Sequence, residues 1–171
     1  MKANASRYGF GMVALAGLAC LGGAQAMAGN AVPIKGNYSG IAWLEPDFTG
    51  AHCNGSGNIS HLGLVSTECD AVFLDYGPMD ECAGTGTGWG IPNLNTAVMT
   101  AANGDQLVLV LDDLACEISI ATEYQATGQW YVDGTRSTGR FAGATGTGLM
   151  VGRVNFATGI FACDIAGTIF Y

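Results

Sequence analysis

Hydrophobic and polar residues alternate with a period of two in short runs along most of the chain. The last run, residues 160–171, is the clearest. One face of an extended segment carries Phe161, Cys163, Ile165, Ile169 and Tyr171, and the other, less apolar face carries Ala162, Asp164, Ala166, Thr168 and Phe170. Successive side chains of a strand point to opposite faces, so this pattern predicts a β-strand with one buried face. No helical spacing of useful length follows residue 28.

Turn signals separate these runs. Asn103 and Gly104 lie between the apolar segments 96–101 and 105–111, and an Asn-Gly pair in that position is typical of a β-hairpin. A second hairpin is predicted from the turn at 157–159, between strands 146–156 and 160–171. Further strands are predicted over 38–45, 58–66 and 118–132, with 51–57 as a loop, 77–95 as an irregular excursion and 112–117 as an interruption.

The number of strands sets the fold class. Glycine accounts for 27 of the 171 residues, a level that disfavours long helices but suits strands joined by tight turns. Six to eight such strands need a sandwich or a closed barrel to cover their edges. The sequence therefore predicts an all-β, antiparallel domain without significant helix after the leader.

One glycine-rich segment resembles a known family and so favours the closed barrel over the sandwich. Residues 134–148 read GTRSTGRFAGATGTG, which is similar to the G-G-T-G-x-F-x-G-A-x-G signature of the allene oxide cyclase and dirigent barrels and their exported bacterial relatives. Residues 60–63, Ser-His-Leu-Gly, resemble the T-H-L-G strand of those relatives, and the terminal hairpin also fits. The resemblance implies an antiparallel, calycin-like closed barrel of about eight strands over residues 29–171. Within the signature, Phe141 is the one bulky residue among small ones, and we expect it to be a plug.

The amino-terminal segment indicates export. Lys2 and Arg7 precede an apolar run over 10–18, and small residues precede Ala26 and Ala28. This is the pattern of a secretory signal peptide, with cleavage after Ala26 or after Ala28, and we assign residues 1–28 to it. Lipidation at Cys20 is the alternative. The apolar run is about half of the ~20 residues that a membrane-spanning helix needs, so we expect no membrane span and a periplasmic or extracellular location.

The charge of the exported portion argues against polyanionic partners. After residue 28, four basic side chains stand against fourteen acidic ones, which gives a net charge of −10. Binding to nucleic acid or to anionic membranes depends on clusters of Lys and Arg, so neither partner is expected.

Five cysteines follow the leader: Cys53, Cys69, Cys82, Cys116 and Cys163. In an exported chain they are first read as disulfides, and the odd number predicts two bridges and one free thiol. The connectivity stays open, although Cys53 with Cys69 is the shortest sequential pairing. No two cysteines have the spacing of a zinc site, and nothing in the sequence indicates a metal or another cofactor.

The chain contains no motif that requires a particular reaction. It has no G-x-S-x-G elbow, so a serine hydrolase is not indicated. Trp43 and Glu45 share a face of the first predicted strand and His61 lies on the next, so we predict that these three residues bind a ligand at a cavity mouth. The expected function is binding of a small apolar ligand, or an interaction module. The alternatives are an isomerase or cyclase with Glu45 or His61 as acid–base helper, and a structural envelope protein.

Overall fold

The computed structural model of the protein describes residues 30–171, and the predicted leader, its cleavage sites and Cys20 lie outside the described residues. The strands are β1 Ala31–Leu44, β2 Gly50–Ile59, β3 Gly63–Phe73, β4 Gly77–Pro78, β5 Trp89–Ala101, β6 Gln106–Ser119, β7 Glu123–Val132, β8 Thr145–Asn155 and β9 Ile160–Phe170. Two single 3₁₀ turns, Asp80–Cys82 and Gly139–Phe141, are the only helical segments in this range. Neither is long enough to cross a membrane.

The long strands close into an antiparallel barrel of eight. Their order is β3-β2-β1-β9-β8-β7-β6-β5, and β5 pairs back to β3, while the two-residue β4 adds to the end of β5. The first and last strands meet along β1 and β9, where Tyr38 lies opposite Cys163 and Ile41 lies opposite Ile160. The predicted closed all-β barrel is confirmed, and the sandwich is excluded.

Alternation places one set of side chains inside. In β9 the buried residues are Phe161, Cys163, Ile165 and Ile169, the set that the period of two predicts. In β6 the apolar stretch 107–111 contributes Leu107, Leu109 and Leu111 to the same core. Closure removes the sheet edges that an open arrangement of these strands would expose.

One end of the barrel is filled by side chains. The loops 60–62, 102–105 and 133–144 cover it, and Phe141 is fully buried there against Tyr171, with ring centroids 5.1 Å apart. The Arg140 guanidinium lies 4.9 Å from the centre of the Phe141 ring, and its Nε is 3.4 Å from Asp105 Oδ2. Phe141 thus plugs what we call the closed end, as the glycine-rich signature suggested.

The indole of Trp130 fills the next layer of the closed end. The side chain is fully buried, and its Nε1 donates a hydrogen bond to the Leu149 carbonyl at 3.1 Å. Gly148 and Gly167 are paired across β8 and β9, and a Cβ on either residue would collide with the Trp130 ring. Glycine is required at both positions because the ring occupies the space of their missing side chains.

Several predicted strand boundaries differ from those of the structure. β2 occupies residues 50–59, including the predicted loop 51–57, because Gly55 and Gly57 let its backbone approach β1 too closely for a side chain. The predicted strand 58–66 is broken by a turn in which His61 has a φ of 68°. β6 continues through 112–117, β5 begins inside the predicted excursion, and a turn at 120–122 interrupts the predicted strand 118–132.

The structure has two disulfides and one free cysteine, as predicted. Cys53 and Cys69 are directly opposite each other on β2 and β3 and form the bridge with the shortest sequential separation. Cys82 bonds to Cys116 and ties the connection 74–88 to β6. Cys163 is free and buried inside the barrel.

Candidate functional site

The opposite end of the barrel contains a cavity in two adjoining parts. The loops 45–49, 74–88, 120–122 and 156–159 surround this open end. An inner chamber of about 120 Å³ lies within the strands, and an outer chamber of about 470 Å³ lies between the loops. The two chambers adjoin at the level of four residues that line both of them: Phe73, Ile91, Tyr124 and Phe156.

The inner chamber is walled mainly by small and aromatic side chains from all eight long strands. Its inward-facing residues are Tyr38, Ala42, Cys53, Cys69, Ala71, Phe73, Ile91, Asn93, Asn95, Ala97, Leu111, Asp113, Ala115, Tyr124, Ala126, Met150, Gly152, Val154, Phe156, Phe161 and Cys163. Alanines and a glycine leave the space, and the aromatic rings bound it. Such a lining suits an apolar molecule that needs a few polar groups for orientation.

Asp113 is the one carboxyl group in this lining. It is 5% exposed, and Oδ2 accepts a hydrogen bond from Asn95 Nδ2 at 3.1 Å, while Oδ1 has no partner among the described residues. Asn95 Nδ2 also donates to Asn93 Oδ1 at 2.9 Å, so both of its hydrogens are used. Burial raises the pKa of Asp113, and the hydrogen bond from Asn95 opposes that rise only in part.

Tyr38 and Cys163 face the same chamber from the seam of β1 and β9. Burial, with a smaller contribution from the negative charge of Asp113, raises the pKa of Tyr38 well above its ordinary value and that of the Cys163 thiol to about 11. Both groups therefore stay protonated at neutral pH. The thiol is unsuited to act as a nucleophile, because nucleophilic attack needs the thiolate.

Glu117 organises the loops around the outer chamber. Its carboxylate accepts hydrogen bonds from Thr87 Oγ1 at 2.5 Å, from the Ala121 backbone N–H at 2.6 Å and from the Tyr76 hydroxyl at 3.1 Å. The bond from Thr87, followed by those from Ala121, Tyr76 and Tyr124, lowers the pKa of Glu117 against the effect of burial. One carboxylate thus joins the connection 74–88 and the turn 120–122 to β6.

The structure does not bring the predicted ligand-binding residues to the cavity. Even-numbered residues of β1 such as Tyr38 and Ala42 point inward, so Trp43 lies on the outer surface and is 44% exposed. Glu45 lies in the β1–β2 loop, where Oε2 accepts a bond from Thr49 Oγ1 at 2.7 Å. His61 lies at the closed end, where Nε2 donates to the Pro33 carbonyl at 3.1 Å. The prediction of a cavity mouth formed by these three residues is therefore corrected.

Trp43 and Glu45 instead surround His52 on the outer surface. The His52 ring is 5.7 Å from the Trp43 ring, and its two nitrogens lie 2.6 Å from Asp70 Oδ1 and 3.2 Å from Glu45 Oε1. The hydrogen bond to Asp70 raises the pKa of His52. Within residues 30–171 no three His, Cys, Asp or Glu side chains are grouped so as to hold a metal ion.

Sequence reasoning missed Asp113 although a signal was present. The inward positions of β6 are odd-numbered, and Leu107, Leu109 and Leu111 lead directly to Asp113. The interruption predicted at 112–117 assigns Asp113 to neither face of a strand. Continued alternation would have placed Asp112 outside and Asp113 inside.

Comparison of the chain with protein families, curated proteins and solved structures finds no match in any of the three. The site is therefore described by its own chemistry. It is an aromatic and largely apolar cavity with one buried carboxyl group at its inner part and a hydrogen-bonded rim at its mouth.

Proposed function

We propose that this protein is an exported barrel, similar to the allene oxide cyclase and dirigent barrels, that binds a small apolar molecule in the inner chamber. The observation that carries the proposal is the contrast between the two ends of the barrel. The closed end is filled by Trp130 and Phe141, whereas the open end keeps a chamber walled by rings, alanines and Gly152. A barrel that only packs would fill both ends, because interiors are close-packed wherever no ligand has to enter.

The size of the chamber limits the ligand. A cavity of about 150 Å³ accommodates a benzene ring, so about 120 Å³ suits a group of roughly that size. The outer chamber provides room for a second part of the molecule. An elongated ligand with a compact inner group fits this arrangement better than a broad one.

Export is part of the proposal. The two disulfides support it, since such bonds persist in oxidising compartments, and the secretory pattern before residue 29 agrees with them. The alternative of an isomerase or cyclase used Glu45 or His61 as the acid–base group. His61 lies at the closed end, and the Glu45 carboxylate is bound to Thr49 and His52 in a loop at the open end, so neither side chain lines a chamber. Ligand binding is therefore the function that the geometry supports best.

The test is calorimetric titration of the disulfide-intact protein with 4-phenyl-1-butanol, a neutral elongated probe, using a pair of variants on β8. A Cβ at Gly152 would make only ordinary contacts, the nearest at 3.4 Å, so Gly152→Leu should fill the chamber without displacing the backbone. Val151→Leu adds bulk at the adjacent position on the outer face, where Val151 is exposed.

We expect saturable binding to the wild type and to Val151→Leu, and at least tenfold weaker binding to Gly152→Leu. Absence of saturable binding to the wild type, both of this alcohol and of the amine with the same carbon skeleton, would overturn the proposal. So would equal binding by a folded Gly152→Leu, with folding checked by its thermal transition. Ala126→Leu fills the chamber from β7 and replaces Gly152→Leu if that variant does not fold.

A further inference from the structure

The charged residues of the described chain are distributed unequally between the two ends of the barrel. The four loops at the open end contain five acidic residues and neither Lys nor Arg: Glu45, Asp47, Asp75, Asp80 and Glu81. Lys35, Arg136 and Arg140 all lie toward the closed end. The remaining basic residue of the described chain, Arg153, lies near the open end on the outer face of β8. Two of the four loops thus place carboxylates along part of the entrance, and negative charge concentrates cations and repels anions.

The inner chamber continues this preference. Asp113 is its one carboxyl group, and no basic side chain among residues 30–171 points into it. His52 and Arg153 are among the residues that border the chamber, but they occupy outward positions of β2 and β8, and the charged ends of their side chains lie on the outer surface. His52 is held there by Asp70 and Glu45, and Arg153 Nη2 lies 3.5 Å from Gln125 Oε1.

From this arrangement we infer that the ligand is an apolar amine, whose protonated nitrogen pairs with the carboxylate of Asp113 while its hydrocarbon body lies between the aromatic walls of the two chambers. The inference rests on the proposed function and names its ligand class. The nitrogen would supply the hydrogen bond that Asp113 Oδ1 lacks, and a buried charge is tolerable only when it is paired in this way.

The walls favour a cation over a neutral hydrogen-bond acceptor. Five aromatic rings line the chambers, and the faces of such rings attract ammonium groups. They belong to Tyr38, Phe73, Tyr124, Phe156 and Phe161. A neutral acceptor would need Asp113 to be protonated and to donate, and nothing in the charge distribution of the open end would favour such a ligand over an amine.

Protonation of Asp113 competes with amine binding, so the pH dependence has a definite sign. The titratable groups that face Asp113 are Tyr38 from β1 and Cys163 from β9, and Tyr124 from β7, whose pKa is raised to about 12, lines the same chamber. Asp112 lies next to it on the outer face of β6, and Glu117 lies further along β6 at the mouth. Tyr38 and Cys163 stay protonated below about pH 10, and burial raises the pKa of Asp113 itself. Amine affinity should therefore rise with pH until Asp113 is fully ionised.

The experiment compares 4-phenylbutylamine with 4-phenyl-1-butanol, which has the same carbon skeleton, by calorimetry between pH 4.5 and 8.5. We expect the amine to bind at least tenfold more tightly than the alcohol at pH 8. Asp113→Asn should abolish this preference, and Asp112→Asn, which removes the same charge from the outer face of the same strand, should keep it.

Equal affinities for amine and alcohol at pH 8, or an amine affinity that falls as pH rises, would overturn the inference and leave the proposed function intact. A preference that survives Asp113→Asn would also overturn it, because the attraction would then come from the acidic rim alone. Failure of both probes to bind would instead count against the proposed function. If Asp113→Asn does not fold, the pH dependence of the wild type decides.

Discussion

Asn95 Nδ2 donates a hydrogen bond to Asp113 Oδ2 across β5 and β6 at 3.1 Å, and the other oxygen of that carboxyl group has no partner in the described part of the chain. The pair lies inside a cavity bounded by aromatic rings and alanines. A half-satisfied buried carboxyl group destabilises the fold, because burying it costs free energy that one hydrogen bond does not return, and a bound partner for the second oxygen would offset part of that cost.

Asp113 should make the protein less stable as pH rises. Its pKa is raised in the folded state, so between its ordinary pKa and the raised value the folded protein binds more protons than the unfolded chain. Stability is then greatest below the ordinary pKa and declines until the raised pKa is passed. The Asp113→Asn variant should not show this decline. The difference between its midpoint of thermal unfolding and that of the wild type should therefore increase in favour of the variant from pH 4 to pH 8. A constant difference between the two proteins over that range would contradict the assignment, and Asp112→Asn is the matched control.

Glu117 should control the order of the loops at the open end. Glu117→Gln replaces one accepting oxygen by a donor, so the carboxylate can no longer receive bonds from both Thr87 and the Ala121 N–H. We expect a loss of about 1.5–3 kcal/mol in the free energy of unfolding, the range for hydrogen bonds to charged groups. We also expect faster proteolytic cleavage within 74–88. Unchanged cleavage would show that the Cys82–Cys116 disulfide alone holds this connection.

Two inward-facing glycines of β8 should respond oppositely to alanine. At Gly148 a Cβ would collide with the Trp130 ring and the Ala166 carbonyl, so Gly148→Ala should cost about 1–3 kcal/mol, the range for overpacking. At Gly152 the new methyl group would make ordinary contacts in the chamber, and Gly152→Ala should stabilise by about 0.5–1 kcal/mol. Urea unfolding of both variants measures this. If Gly148→Ala stabilises the protein and Gly152→Ala destabilises it, the description of a filled closed end and a cavity at the open end is wrong.

Thiol titration should separate Cys163 from the bridged cysteines. The disulfide-intact protein should show one thiol in denaturant and almost none while folded, because Cys163 is 5% exposed and its pKa is raised to about 11. Reduction in denaturant should raise the count to five for the chain after the predicted leader. Five reactive thiols without reduction would exclude both disulfides, and Cys163→Ala should remove the single unreduced thiol.

The fold was predictable where alternation and turn signals agree. The terminal hairpin and the Asn103–Gly104 hairpin lie where the sequence indicated, because each has an apolar face of period two and a turn that accepts positive φ. β2 was not predictable in this way. Gly55 and Gly57 carry no side chain to reveal alternation, and their role is seen only against the backbone of β1.

The site was harder to predict than the fold. Trp43 and Glu45 were assigned to the interior because aromatic and acidic residues together indicate a pocket, but the inward face of β1 is set by Ile34, Tyr38 and Ala42. The cavity itself arises from small residues on all eight strands, which no single segment shows. Asp113 is the exception, since unbroken alternation in β6 would have identified it.

The most direct test of a ligand chamber inside the barrel is a chemical-shift map of the ¹⁵N-labelled protein titrated with 4-phenyl-1-butanol. Saturable shifts should be confined to backbone amides around the chamber, including Ala97, Asp113, Ala126 and Gly152, with none at outward residues of the same strands such as Leu149. Shifts that do not saturate, or that follow the outer surface, would contradict the proposal that the interior is the binding site.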